Sequence, residues 1–204
     1  MKRISVAIVD YNVGNHLSVS HTLTSLGYIC TITANKREIE KHDIVLLPGV
    51  GAFPSAMQSL RDLDLVNFLR GWGREGRPLL GICLGMQLLA ERSFEGGETE
   101  GLGLLAGSVM GLAPHPAWHI GWNTLQRVNA ESMFKDFEGE FFYFNHSYAF
   151  GEDCGAAGGF SYSQRHFPAI VRHGQIVGLQ FHPEKSQDTG KRLLQSVIRG
   201  LYHG

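Results

Sequence analysis

Apolar residues run almost unbroken through positions 4–9 (only Ser5 intervenes), 44–47 and 79–82. Short runs with no polar alternation predict strands buried on both faces, as in a parallel sheet, and 4–9 is expected to be a central one. Between them the spacing turns helical. Positions 16–26 predict a helix with Leu17, Leu23 and Leu26 facing inward and Gly27 as its stop. Positions 28–33 are short and β-branched and predict a second strand, while 55–60 and 65–72 predict two more helices. Strands alternating with helices point to right-handed crossovers on a parallel sheet.

The second half reads differently. Positions 101–112 and 121–128 carry strand-like runs broken by glycine or proline, and 141–148 is dense in aromatic residues. Two strands flank His173-Gly174 within 170–181, a hairpin signal. Over 189–201, Leu193, Leu194, Val197, Ile198 and Leu201 share one face of a docking helix. The expected class is α/β in three layers. A central, mixed but mostly parallel sheet is flanked by helices, with a smaller antiparallel portion in the second half. Neither repeat nor linker divides the chain, so residues 1–204 are expected to form a single domain.

Charge and composition narrow the function. A net charge of −1 with no basic stripe argues against nucleic acid as a partner. Cys30, Cys83 and Cys154 are odd in number and far apart, which fits a reducing compartment better than a disulfide framework. Met1-Lys2-Arg3 starts like a signal peptide, but the apolar run ends at Asp10, and no stretch is long enough to span a bilayer. A cytoplasmic, membrane-free protein is expected.

The strand at 79–82 runs straight into Cys83, with Gly81 and Gly85 on either side, and then into the helix formers Met86, Gln87, Leu88, Leu89, Ala90 and Glu91. Strand, tight turn and helix with a nucleophile at the turn make a G-x-S-x-G elbow with sulfur in place of oxygen. Glycine is needed on both sides because a Cβ there would meet the neighbouring strand or helix. The sulfur would sit at a helix N-terminus, where unpaired N–H groups favour the reactive thiolate. The alternative is that Cys83 is a small buried hydrophobe.

A nucleophilic thiol needs a base, and the base an orienting acid. Gly178-Leu-Gln-Phe-His-Pro-Glu-Lys-Ser186 supplies His182 and Glu184, with Pro183 expected to hold the segment extended so that both side chains point one way. For the oxyanion, one donor is expected from the backbone of Leu84 and the other from the turn at Gly49, Val50 and Gly51. That turn lacks the Lys-Ser/Thr of a phosphate loop. Gly101-Leu-Gly103 matches part of a dinucleotide turn, but no strand is expected before it. His115 and His119 are four apart, yet Pro114 and Pro116 break any helix and no third ligand is adjacent, so no metal site is expected.

With these residues in view, the chain resembles the class I, triad-type glutamine amidotransferases. Among them it is most similar to the glutaminase subunits of imidazole glycerol phosphate synthases. Gly81-Ile-Cys-Leu-Gly-Met-Gln87 and the His182/Glu184 pair carry the wider resemblance. Leu47-Pro-Gly-Val-Gly-Ala-Phe53, His119-Ile-Gly-Trp-Asn123 and Gln180-Phe-His-Pro-Glu-Lys-Ser186 carry the narrower one. The resemblance implies hydrolysis of glutamine through a thioester on Cys83, without a cofactor. It implies that Gly51, Gln87, Glu95, Ser147 and Tyr148 grip the glutamine backbone. Ammonia would pass into a (βα)8-barrel cyclase partner that makes imidazole glycerol phosphate for histidine synthesis. Asn12, Asn15, Trp122 and Lys185 would fall at the interface with that partner. Trp122 reads equally as an interface anchor or a core tryptophan.

Two positions depart from the pattern: Trp118 stands where proline is usual and Asn145 where valine is usual. They leave open a different ammonia acceptor, such as a surface-sugar amidase. A silent binding protein of the same fold is the alternative outside enzymology.

Overall fold

The computed structural model describes residues 3–112, 117–129 and 133–204. The first half alternates as its pattern predicts, with one short helix, α2, that the pattern does not announce: β1 (Ser5–Val9), α1 (His16–Ser25), β2 (Ile29–Thr33), α2 (Lys36–Ile39), β3 (Ile44–Leu47), α3 (Phe53–Asp62), α4 (Val66–Arg74), β4 (Leu79–Ile82) and α5 (Leu84–Leu88). The second half is mostly strand: β5 (Arg92–Ser93), β6 (Thr99–Glu100), β7 (Ser108–Gly111), β8 (His119–Thr124), β9 (Phe141–His146), β10 (Tyr148–Phe150), β11 (Ala156–Tyr162), β12 (Arg165–His173) and β13 (Ile176–Leu179). The helix α6 (Gln187–His203) closes the chain.

Seven strands form the main sheet in the order β11-β12-β13-β4-β3-β1-β2. From β13 to β2 all neighbours are parallel, and β11 and β12 add on antiparallel, β12 and β13 as the hairpin expected at His173-Gly174. The class is therefore the mixed, mostly parallel α/β fold expected. Two details differ. The strand at 4–9 is interior but next to the edge strand β2, not central. The small sheet β10-β7-β5-β6 also contains one parallel pair, β5 with β7.

The period of two along buried strands sorts the core into two layers. Val6, Ile8, Ile44, Leu46, Leu80, Ile82, Val177 and Leu179 face one side, where Val19 and Leu23 of α1 and the apolar face of α6 cover them. Ala7, Val9, Val45, Leu47, Leu79 and Ile176 face the other, under α3, α4 and α5. Leu17 is not part of either layer: it is exposed, and Val19 takes the inward place expected for it. The α1 stripe is rotated by this much because Val19 and Leu23, four apart, are the pair that meets the sheet.

Candidate active site

The parallel strands deliver their carboxyl ends to one edge, and the elbow lies there. Cys83 follows β4 with φ +53 and ψ −109, a region that residues bearing a Cβ rarely occupy and that marks a turn held by its surroundings. Both flanking glycines are required. A Cβ on Gly85 would come 1.9 Å from the Leu47 carbonyl oxygen, and one on Gly81 would come 2.6 Å from the carbonyl oxygen of Gly85. The Cys83 N–H is tied to Leu179 O at 2.7 Å, and Gln87 N–H bonds back to Cys83 O at 3.1 Å to begin α5. The helix is shorter than its composition suggests. It stops at Leu88, because the N–H groups of Leu102, Leu104 and Leu105 take the carbonyls of Leu88 and Leu89.

His182 follows β13, and its Nδ1 lies 2.8 Å from Glu184 Oε1 with both side chains fully buried. The contact arises differently from the extended segment expected. His182 is extended (φ −103, ψ 90), but Pro183–Lys185 curls into a 3-10 turn that brings the carboxylate back under the ring. Proline at the first position of a helical turn has its φ pre-set and no N–H to lose. A clamp holds the segment to β9. His182 N–H donates to Tyr143 O at 2.8 Å, the Ser186 hydroxyl donates to His182 O at 2.7 Å, and Tyr143 N–H donates to Ser186 Oγ at 3.0 Å.

Burial alone would pull the His182 imidazole down. The Cys83 sulfur beside it, together with the hydrogen-bonded Glu184, outweighs this and raises its pKa to about 10. Burial would push the Glu184 carboxyl up, but the bonds from His182 and Asn15 hold it below its ordinary value. His182 Nε2 and Glu184 Oε2 are buried without a hydrogen-bond partner. The sulfur itself has two weak contacts: it donates toward Asn145 O at 3.8 Å, and Gln180 Nε2 donates toward it at 3.9 Å.

Cys83 opens on a cavity of about 250 Å³ lined also by Val50, Gly51, Leu84, Gln87, Glu95, Asn145, His146, Ser147 and Tyr148. All five residues expected to grip a substrate line this one space. Gln87 is fixed by donating to Tyr148 O at 2.8 Å and Gln180 Oε1 at 3.2 Å. Glu95 uses Oε2 to accept the Phe53 N–H at 2.8 Å, which opens α3. Val50 and Gly51 (φ +127) edge the cavity, while Gly49 lies behind it against Leu84 and the Tyr11 hydroxyl, which donates to Pro48 O. Burial, with Cys83 nearby, keeps that Tyr11 hydroxyl far above the usual phenol range.

His146 in the cavity wall is backed by a second histidine. His146 Nδ1 lies 2.8 Å from Tyr148 O, so it is the donor, and its Nε2 then accepts from His119 Nδ1 at 3.2 Å. Asn123 Nδ2 reaches His119 Nε2 at 3.3 Å. Burial lowers His119 to about 4 and His146 to about 3, so both are neutral imidazoles. His119 is thus engaged with protein groups, whereas its i−4 companion His115 lies outside the described residues. Among the described residues no group of three or more His, Cys, Asp and Glu side chains could hold a metal ion. Gly101 is preceded by a strand after all, β6, but it is a two-residue edge strand and no helix follows.

The four expected interface residues separate. Trp122 is 47% exposed, so it is not a core tryptophan, and with Trp118, Ile120 and Phe141 (60%, 61% and 58% exposed) it makes an apolar face on the β8–β9 ribbon. Lys185 is exposed, its Nζ 5.9 Å from the Tyr143 ring. Asn12 is exposed with φ +63. Asn15 instead turns its amide onto Glu184 Oε1 at 2.5 Å. Gln180 and Ser186 also bear on the site, though no sequence pattern assigns them a role; their spacing of two and four from His182 within one motif is the available signal.

Comparison with known proteins agrees with this geometry. A family model described as glutamine amidotransferase class-I matches residues 7–199. Imidazole glycerol phosphate synthase subunit HisH of Carboxydothermus hydrogenoformans is 42% identical over 192 residues, covering 93% of this chain and 96% of its own. The same subunit of Oceanobacillus iheyensis is 43% identical over 194 residues, with coverage of 93% and 96%. Among solved structures, PurLQS from Thermotoga maritima aligns with a TM-score of 0.75 at 18% identity, over 98% of this chain and 100% of that one. A glutamine amidotransferase crystal structure aligns at 0.74 and 20% identity, over 97% and 99%, and both speak to the fold alone.

Proposed function

The chain belongs to the class-I glutamine amidotransferase family, and from that premise we propose that it hydrolyses glutamine and supplies the ammonia for imidazole glycerol phosphate synthesis in histidine biosynthesis. The observation that carries the reading is the strained elbow cysteine opening on a polar cavity, with a buried His182–Glu184 pair beside it.

In this reading glutamine lies in the cavity with its ammonium toward Glu95, whose Oε2 is committed to α3 and whose Oε1 remains for the ligand. Gln87, Ser147, Tyr148 and Gly51 hold the rest of its backbone. Cys83 gives its proton to His182, and its Sγ attacks the side-chain carboxamide carbon. Negative charge builds on the carboxamide oxygen, and the Leu84 N–H with the 49–51 turn stabilises it. His182 gives a proton to the nitrogen, the C–N bond breaks, and ammonia leaves a γ-glutamyl thioester. Water then attacks the thioester carbon as His182 takes its proton, the C–S bond breaks to release glutamate, and His182 returns the proton to the sulfur. Glu184 fixes which ring nitrogen carries the proton. No cofactor enters.

The curated relatives are named as subunits, so this chain works with a partner. That partner is a (βα)8-barrel cyclase in our reading, docked on the apolar ribbon face around Trp122 and reached by Asn12 and Lys185. Ammonia released to water becomes ammonium and loses its nucleophilicity, which favours transfer inside a complex. The chain acts as a single amidotransferase domain in the cytoplasm; among the described residues no helix is long and apolar enough to cross a membrane.

Trp118 and Asn145 favour one second reading, the same glutaminase feeding another acceptor. Both are exposed on the ribbon, and the Asn145 carbonyl touches the sulfur. Complementation separates the two. The chain, expressed with its cyclase, restores growth to a histidine auxotroph lacking the glutaminase subunit. Glutamate release without complementation would instead favour the second acceptor.

A further inference from the structure

Asn15 ends the first strand-to-helix turn with φ +83 and ψ −6, a left-handed conformation that asparagine tolerates better than most residues. Its carbonyl accepts the Val19 N–H at 3.2 Å as α1 begins. At this place an asparagine side chain ordinarily folds back onto the first N–H groups of its own helix. Here it makes no such bond. The amide crosses instead to a residue 169 positions away, and Nδ2 donates to Glu184 Oε1 at 2.5 Å.

That oxygen is the one facing His182 Nδ1, while Oε2 is buried with no partner. A glutamate carboxylate turns easily about its last torsion, which has broad, two-fold preferences. A single bond to the imidazole would leave the carboxylate plane free to rotate around that contact. A second donor on the same oxygen, arriving from a different element, removes this freedom.

We infer that Asn15 is a positioning residue for glutamine hydrolysis: its amide holds the Glu184 carboxylate in the plane that orients His182, leaving Nε2 for the sulfur. The inference rests on the triad reading proposed above. If Asn15 served only the turn and the start of α1, glycine would suit the left-handed backbone and aspartate would cap the helix at least as well. Both variants would then be close to neutral. A positioning amide predicts the reverse order of concern. Asn15→Gly removes the donor without straining the backbone, and the isosteric Asn15→Asp sets a second carboxylate against a buried one.

The test is steady-state glutamine hydrolysis by the chain in complex with its partner subunit. Asn15→Gly should lower kcat on the order of ten- to a hundredfold, a share of what general acid–base catalysis supplies. Asn15→Asp should lower it further, with KM moving less than about threefold in both. The His182 Nδ1–H proton resonance should shift in both variants, and ammonia-driven turnover by the complex should stay at the wild-type level. If the glycine variant is unstable, the aspartate variant decides. Wild-type kcat in Asn15→Asp would overturn the inference. A wild-type complex that turns over ammonia but not glutamine would overturn the triad reading, and this inference with it.

Discussion

Gly85 meets Leu47 so closely that a single added methyl would lie 1.9 Å from the Leu47 carbonyl oxygen. The elbow exists because two backbones touch there, helix start against neighbouring strand end. Gly85→Ala must push β3 and α5 apart, and the buried backbone cannot give way as a flexible side chain would. The expected cost exceeds about 3 kcal/mol, within the range reserved for severe steric lesions. The denaturant midpoint of the variant, or its failure to fold, measures this. An unchanged midpoint would mean that the elbow is wider than described.

Ser186→Ala tests the clamp on the histidine segment. It deletes the donor to His182 O and strands the Tyr143 N–H in a half-buried site. A loss of about 1 kcal/mol in unfolding free energy is expected, the low end of the penalty for an orphaned polar group. The rate of glutamine hydrolysis should fall more than KM rises, since the clamp touches His182 rather than the cavity. A variant as stable as wild type would show that the Tyr143–His182 backbone bond suffices.

Much of this is legible in the sequence. Long apolar runs identified β1, β3 and β4, because a strand covered on both faces has no polar alternation to hide it. The elbow was legible from glycine spacing for a steric reason that the Gly81 and Gly85 contacts bear out. Other parts were not. The strands of the small sheet are two to four residues long, too short to show any period. Leu17 faces solvent although the pattern points it inward, because a ten-residue helix offers two nearly equivalent stripes and only the sheet beneath α1 chooses between them. The His182–Glu184 contact was anticipated, but through an extended segment rather than the 3-10 turn. Nothing local could link Asn15 to Glu184, since that contact depends on where β1 and β13 end in space.

The histidine pair predicts an acid-sensitive fold. In the folded chain His146 has a pKa near 3 and His119 near 4, against about 6.5 when unfolded. Unfolding therefore takes up protons below about 6.5, so the stabilisation is complete above that pH and is lost as pH falls toward 3–4. His182 has the opposite sign: raised to about 10, its contribution holds below about 6.5 and is lost as pH climbs through 10. Between pH 6.5 and 4.5 the slope from His146 should approach about 1.4 kcal/mol per pH unit. Urea midpoints for wild type and His146→Gln across that window should diverge, the wild type being the steeper. Parallel curves would contradict a neutral, buried His146.

The ribbon face predicts a partner hot spot. Trp122 meets Tyr143 edge to face, ring centroids 6.0 Å apart, and shares its face with Trp118, Ile120 and Phe141. Trp122→Ala should weaken binding of the partner subunit by at least about 2 kcal/mol, roughly 30-fold in Kd. The isolated chain should keep its unfolding midpoint within about 0.5 kcal/mol, as for other exposed positions. Calorimetric titration gives the first number and thermal unfolding the second. Undiminished affinity would move the docking surface elsewhere.

The account stands on Cys83 as the nucleophile that frees ammonia from glutamine, and Cys83→Ala in the assembled complex tests it most directly. Product formation is followed twice, once with glutamine and once with an ammonium salt as nitrogen donor. The predicted result is loss of the glutamine-driven reaction with the ammonia-driven one at its wild-type rate. Glutamine-driven synthesis that survives the substitution, or loss of both reactions together, would contradict it.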